Sequence, residues 1–322
     1  MLPHSRIYVA GHNGLVGSAI CRRLRSGGFT NLIVRSSSEL DLRNQSEVER
    51  FFQAERPEFV FLAAAKVGGI LANSQYPADF IYDNLAIQNN VIRSAWAAGT
   101  AKLLFLGSSC IYPRNAPQPI REEYLLSGTL EPTNEWYAVA KIAGLKLAQA
   151  FRMQYGFDAV CAMPTNLYGP GDNFDLTGSH VLPALLRKFG EAGAQGLRSV
   201  TVWGSGMPRR EFLHVDDLAD ASVFLMLSYS DIEPVNVGTG VDVTIAELAE
   251  IVRQVTGFQG EIVFDRTRPD GTPRKLLDVG KLSSLGWKAK TELREGIAMT
   301  WRWYCDNLVA PKGNEAPLRS AV

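Results

Sequence analysis

The chain has 322 residues, and its 33 Lys and Arg are matched by 33 Asp and Glu, so the formal net charge is zero. That balance argues against a polyanionic partner, because nucleic acid and anionic membrane surfaces are held by an excess of basic residues. An apolar share of 46% with 20% charged residues excludes a disordered chain and predicts a sizeable core, by length two domains or one large domain with a smaller companion.

In chain order, Arg6–Ala10 reads as a strand, Leu15–Ser26 as a helix, Asn31–Arg35 as a strand, Gln45–Glu55 as a helix and Glu58–Leu62 as a strand. A long helix over 78–98 and a strand over Lys102–Gly107 follow. A helix over Glu135–Tyr155, stopped by Gly156, then leads to a strand over Asp158–Met163. Near-continuous apolar strands alternating with helices predict an α/β fold with a doubly wound parallel sheet of Rossmann type, since each parallel step needs a crossover. Beyond about residue 167 Gly and Pro become dense (YGPGDNF, WGSGMPRREF, RPDGTPRK). Helices over 181–193, 216–228 and 244–256 stand there among short strands, and a last helix closes 280–308. The expected division is a nucleotide-binding domain over 1–167, with segments from about 200–240 returning to it. A smaller C-terminal α/β substrate domain over 168–310 and a polar tail over 311–322 complete it.

Cys21, Cys110, Cys161 and Cys305 are far apart with no C-x-x-C pair, which indicates neither a disulfide framework nor a zinc site; no metal is expected. The longest apolar run, FVFLAAA at 59–65, is far short of the roughly 20 residues of a membrane helix. MLPHSR leaves no room for a signal peptide before the first strand. A cytoplasmic protein with no membrane and no nucleic-acid partner is expected.

Directly after the first strand stands Gly11-His12-Asn13-Gly14-Leu15-Val16-Gly17, a G-x-x-G-x-x-G that opens a helix. Strand, glycine turn and helix N-terminus together let backbone amides approach a pyrophosphate, with the helix dipole favouring its charge. A tight turn would use the same glycines, but the flanking elements select a dinucleotide site. The second strand ends in Arg35-Ser36-Ser37-Ser38, where an acidic residue would mark a free ribose 2′-hydroxyl. Guanidinium and hydroxyls suit a 2′-phosphate instead, which favours NADP(H) over NAD(H), with Glu39 as the competing reading. Asp41 either hydrogen-bonds the adenine amine or serves only a turn.

Tyr137 and Lys141, four apart on one helix, project to one face. An ammonium beside the phenol is expected to lower its pKa from about 10 and suit it to give a proton to a carbonyl oxygen. Ser108 follows the fourth strand at the carboxyl end of the sheet, where ligands bind, and its hydroxyl can hold the same oxygen.

The glycine loop, Ser108/Tyr137/Lys141 and PTNLYGP at 164–170 resemble the extended short-chain dehydrogenase/reductases that act on nucleotide sugars. GSSCIYP at 107–113, EPTNEWY at 131–137, Ser179-His180-Val181 and PDGTPRKLL at 269–277 narrow the resemblance to epimerase-reductases of GDP-linked 4-keto-6-deoxy sugars, over residues 6 to 308. The resemblance implies that Cys110 takes protons from C3 and C5 and His180 returns them, after which NADPH reduces C4. Tyr137 then protonates the oxygen, Lys141 orients the cofactor ribose and Ser108 holds the carbonyl. A thiol and an imidazole near their ordinary pKa values suit such exchange without large tuning.

The resemblance also places Leu106, Gly107, Pro164, Asn166, Leu167 and His180 at the cofactor, beside Gly11, Asn13, Gly14, Leu15, Val16, Gly17, Arg35, Ser36, Asp41 and Lys141. Lys188, Trp203, Arg210 and Asp270 are implied to contact substrate, with Arg274 and Lys275 as further cations for its diphosphate. The family often has Arg where Asn13 stands, which leaves more of the NADP preference to Arg35. A homodimer through the two long helices is implied. Cys21, Cys161 and Cys305 read as packing, and His214 as structural, with Asp216 capping the next helix. Two rivals stay open: an NAD-dependent nucleotide-sugar 4-epimerase or dehydratase, although Cys110 and His180 have no work in a simple 4-epimerase, and a non-catalytic NADP-sensing protein, against which the intact Ser108/Tyr137/Lys141 set argues.

Overall fold

The computed structural model describes residues 1–176, 178–268 and 270–309; the predicted tail at 311–322 and Pro269 of the PDGTPRKLL motif lie outside the described residues. The first part alternates β1 (Ile7–Ala10), α1 (Leu15–Ser26), β2 (Leu32–Ile33), α2 (Gln45–Glu55), β3 (Phe59–Leu62), α3 (Ile70–Gln75), α4 (Pro77–Ala97), β4 (Lys102–Leu106), α5 (Glu135–Tyr155) and β5 (Asp158–Pro164). Then come β6 (Asn166–Tyr168), α6 (Val181–Ala194), β7 (Ser199–Trp203), β8 (Arg209–His214), α7 (Val215–Ser228), β9 (Val235–Val237), β10 (Asp242–Thr244) and α8 (Ile245–Thr256). The chain closes with β11 (Glu261–Asp265), β12 (Arg274–Lys275), α9 (Gly280–Ser284) and α10 (Leu293–Tyr304).

A six-stranded parallel sheet runs in the order β2-β1-β3-β4-β5-β9. Its strands are buried on both faces, which is why they read as unbroken apolar runs. One face packs against α1 and α7 through Ile20, Leu24, Leu218 and Leu225. The other packs against α2, α4 and α5 through Phe52, Val91, Ile92 and Leu145. From β1 the chain steps outward to β2 and then crosses to β3, so a crevice opens between those strands at their carboxyl ends. The second strand is only Leu32–Ile33, shorter than the predicted run, because the chain turns at Ser36–Leu40 under Glu39.

Helix α5 carries two of the candidate catalytic residues, and its fit depends on Gly144. A Cβ there would stand 2.4 Å from Gln88 Oε1 and 2.6 Å from Phe105 Cζ; only glycine lets α5 pass this close to α4 and β4. Gly156, at φ +69°, ends the helix with its amide on Arg152 O.

The second unit packs α6, α8 and α10 around a core that includes Leu186, Phe189, Val252 and Ile297. Its strands form two small sheets, β10-β8-β12 with β6 beside β8, and β11-β7. The seam between the units is held by Glu211 on β8, which is 0% exposed. Its carboxylate accepts the amides of Thr239 and Gly240, both at 2.7 Å, and of Leu277 at 3.0 Å. Helix α7 is capped not by Asp216 but by His214, whose Nδ1 accepts the Asp216 amide at 3.3 Å.

Candidate functional site

A cleft of about 820 Å³ follows the carboxyl ends of the parallel strands, from the glycine turn to His180. At the turn, a Cβ on Gly17 would lie 2.1 Å from Gly11 O, and one on Gly11 (φ +85°) 2.8 Å from Ala64 N. Both glycines are required by close backbone approach. Helix α1 begins at Gly14 with no side-chain cap and no acidic residue in its first turn, whereas α2 and α8 are capped by Asn44 and Thr244. The first-turn amides of α1 thus present an uncapped positive helix end beside Gly14, Leu15, Val16 and Gly17, all of which line the cleft. This cradle fits a dinucleotide pyrophosphate.

Arg35, Ser37, Asp41 and Arg43 line the far end. Arg35 is held by Glu55 at 2.5 Å and lies 5.7 Å from the Phe51 ring centroid. Arg43 bonds Asp41 through two nitrogens at 2.9 Å and reaches Asp83 at 3.5 Å, while Lys66 bonds Asp79 and Asp83. Arg43 escaped the sequence reading, which looked for the cation only at the end of the second strand; a basic residue two positions after Asp41 was the available signal. Two of the residues expected at the cofactor are absent from the lining. Ser36 does not line the cleft, because its amide and hydroxyl donate to Glu39 at 2.7 and 2.6 Å; Ser37 takes its place. Asn13 is exposed and also stays out of the lining, in the tight turn that joins Gly14 N to Gly11 O.

Ser108 and Cys110 follow β4, Tyr137 and Lys141 stand on α5, and His180 precedes α6; all five line the cleft, as do Leu106, Gly107, Pro164, Asn166 and Leu167. Asn166 donates its amide to Glu211 O at 2.8 Å. Ser108 is the junction, since its Oγ accepts the Cys110 amide at 3.1 Å and its side chain opposes the rise of the Tyr137 phenol. Lys141 donates to Leu106 O at 2.9 Å and lies 6.0 Å from the Tyr137 ring centroid. The expected lowering of the phenol is therefore not seen. Burial raises Tyr137, with the charge of Cys110 adding to it and Ser108 opposing, and burial depresses Lys141 to about 8. A phenol held in its acid form yields its proton only to a strongly basic oxygen.

Cys110 and His180 are tuned, against the expectation that they need little. Burial pulls the Cys110 thiol up, but Lys275, Ser108 and Arg210 together carry it below its ordinary value. Burial, and then the Lys275 charge, lower His180. Lys275 Nζ stands 3.5 Å from Cys110 Sγ, while Arg274 is bound to Asp242 at 2.5 Å alongside Arg209 at 2.9 Å. The two cations expected at the diphosphate thus part company, because neighbours on a strand face opposite ways.

Lys188, Trp203, Arg210 and Asp270 lie outside the cleft lining and gather beside it on the second unit. Lys188 Nζ is 5.1 Å from the Trp203 ring centroid and the Arg268 guanidinium 5.0 Å; Trp203 itself is 61% exposed. Asp270 accepts from the Ser205 amide and hydroxyl at 2.8 and 2.6 Å. Arg210 donates to Arg209 O and Thr272 O, and its charge reaches both Asp270 and Cys110, which joins this group to the cleft. Asp172 also escaped the sequence reading. It lines the cleft with Oδ2 buried and unpartnered, and burial pushes its carboxyl up to about 7. Among the described residues no group of three His, Cys, Asp or Glu side chains could hold a metal ion.

The chain matches the NAD dependent epimerase/dehydratase family over residues 7–238. A putative GDP-L-fucose synthase 2 of Arabidopsis thaliana is 64% identical over 308 residues, covering 96% of this chain and 94% of the relative. The GDP-L-fucose synthase of Escherichia coli (strain K12) is 54% identical, covering 94% and 97%. A solved GDP-L-fucose synthetase from Naegleria fowleri bound to NADP has a TM-score of 0.89 at 28% identity, covering 96% of this chain and 97% of that one.

Proposed function

From the premise that the chain belongs to the NAD dependent epimerase/dehydratase family, we infer that it is an NADPH-dependent 3,5-epimerase and 4-reductase converting GDP-4-keto-6-deoxy-D-mannose to GDP-L-fucose. The observation that carries this reading is the sharing of one cleft by the uncapped glycine cradle, the Ser108/Tyr137/Lys141 set and the pair Cys110 and His180. A simple 4-epimerase has use for the first two and none for the last.

The substrate's C4 ketone acidifies the C–H bonds at C3 and C5. Cys110 as thiolate accepts the proton of one centre, the bonding pair moving onto the C4 oxygen, and releases it to solvent before it takes the proton of the other; the hydroxyls of Ser108 and Tyr137 donate to that oxygen. His180 returns a proton on the opposite face. In the free site burial and Lys275 hold its imidazole neutral, and the negative charge arriving with diphosphate and enolate favours the imidazolium that can give the proton. NADPH, when bound, supplies the hydride that reduces C4. Tyr137 then gives its proton to the C4 oxygen, Lys141 orients the cofactor ribose, and Arg210, Lys188 and Trp203 hold the GDP moiety.

With this keto sugar and NADPH in deuterated buffer, NADPH absorbance should fall and deuterium should enter C3 and C5; bound cofactor that is never consumed would remove the reductase reading. A homodimer is proposed because α4 and α5 pack together, Trp96 stacking on Tyr155 at 4.4 Å, and leave Tyr82, Trp136, Val139 and Met153 exposed. A monomer mass on sedimentation would end that proposal. A cytoplasmic location is proposed because the chemistry needs Cys110 as a free thiol, which a reducing compartment preserves; cell fractionation tests it.

A further inference from the structure

Resting on that reading, we propose that Lys275 is a positioning residue that holds Cys110 as thiolate before substrate arrives. Three observations converge on it. First, the contact is direct, with Nζ 3.5 Å from Sγ. Second, Lys275 has no carboxylate within ion-pair range among the described residues, whereas its neighbour Arg274 is bound to Asp242; the thiol is the acceptor the ammonium has. Third, the backbone that carries it is pinned. Strand β12 pairs with β8 in the register Lys275↔Arg210. The next two amides are held by Gln118 Oε1 at 2.8 Å and Glu211 Oε2 at 3.0 Å. Lys275 reaches Cys110 from a fixed base.

The groups that face the thiol come from four elements. Ser108 shares its loop, Tyr137 stands on α5, Arg210 on β8 and Lys275 on β12, while His180, before α6, feels the same ammonium. None of them is a carboxylate; Glu131 and Asp270 act only at one remove, on Arg210. An ordinary thiol is only a few per cent thiolate near neutrality, and a compact point charge at hydrogen-bond distance raises that fraction. The proton balance is simple. Cys110 gives its proton to solvent in the free enzyme, then takes one from C3 or C5 as the C–H pair moves to the C4 oxygen. Lys275 takes no part in the transfer.

The test is the rate at which iodoacetamide alkylates Cys110 as a function of pH. The rate is read from the Cys110 peptide by mass spectrometry in the protein without sugar, so Cys305 does not confuse it. Lys275→Met should move the midpoint upward and slow alkylation at pH 7 roughly tenfold, the effect of about one pKa unit. Lys275→Arg should restore most of the rate. Lys275→Gln serves as a second neutral variant should the Met protein fail to fold. An unchanged alkylation profile overturns the proposal. Failure of the wild-type protein to turn over the keto sugar would instead remove the substrate reading and leave the alkylation result standing.

Discussion

At the adenosine end of the cleft the cations are already matched by carboxylates, Arg35 by Glu55, Arg43 by Asp41 and Asp83, and Lys66 by Asp79 and Asp83. Around the reacting atoms, Lys141, Arg210 and Lys275 hold carbonyl oxygens and a thiol, and among the described residues none of them has a carboxylate within ion-pair range. The first arrangement exchanges one anion for another when a ligand binds, in half-exposed positions where each pair contributes little. The second keeps positive charge in a dry site, where an arriving enolate or thiolate meets it with little screening. Recognition of the cofactor's outer end should therefore be forgiving, and chemistry at the inner end should not.

The sharpest way to break this contrast is Tyr137→Phe. Loss of the proton donor should slow NADPH oxidation by about 10²–10⁴ while cofactor binding, followed by fluorescence, stays intact. A variant within tenfold of wild type would take Tyr137 out of that role. Lys141→Met should abolish turnover yet raise stability. Burial sets the folded pKa of Lys141 at about 8, below its ordinary 10.5, so its ammonium opposes folding fully below pH about 8, and the penalty fades as pH rises to the unfolded value. The melting temperature at pH 7 should rise, by an amount corresponding to about 1–3 kcal/mol, and the gain should vanish at strongly alkaline pH; a lowered melting temperature at pH 7 would contradict it. The smallest effects belong to the adenosine end. Arg43→Ala should cost roughly fivefold in the KM for NADPH, and Asn13→Ala less than about twofold. A hundredfold loss in either, measured by initial rates, would erase the distinction between the two ends.

Much of the first unit is legible because its signals are local. Helices α1, α2 and α5 lie on the predicted residues, since Gly11–Gly17, Asn44 and Gly156 mark their ends chemically. Helix α3 was not foreseen; its six residues are too few for a period to show. The second unit is harder. Strand β12 pairs with β8 across some sixty residues of chain, and no local pattern announces such a partner. Hence Arg274 and Lys275 looked equivalent in RPDGTPRK, and only the alternation of an unrecognised strand separates them. Charge tuning was equally hidden. A helix face told that Tyr137 and Lys141 are neighbours, but burial decides that the phenol goes up and the ammonium down.

Glu211 gives the molecule one further property. Its carboxylate is satisfied by amides that come from the turn after β9, on the parallel sheet, and from Leu277, just beyond β12. Were either segment to peel away alone, a carboxyl group that burial already pushes above its ordinary range would lose its amide donors, at a cost of about 1–3 kcal/mol. That is a sizeable part of a typical domain's whole stability. Partial unfolding is thereby made uneconomical, and the cofactor half and the substrate half are bound into a single cooperative unit, so the cleft between them persists or disappears as a whole.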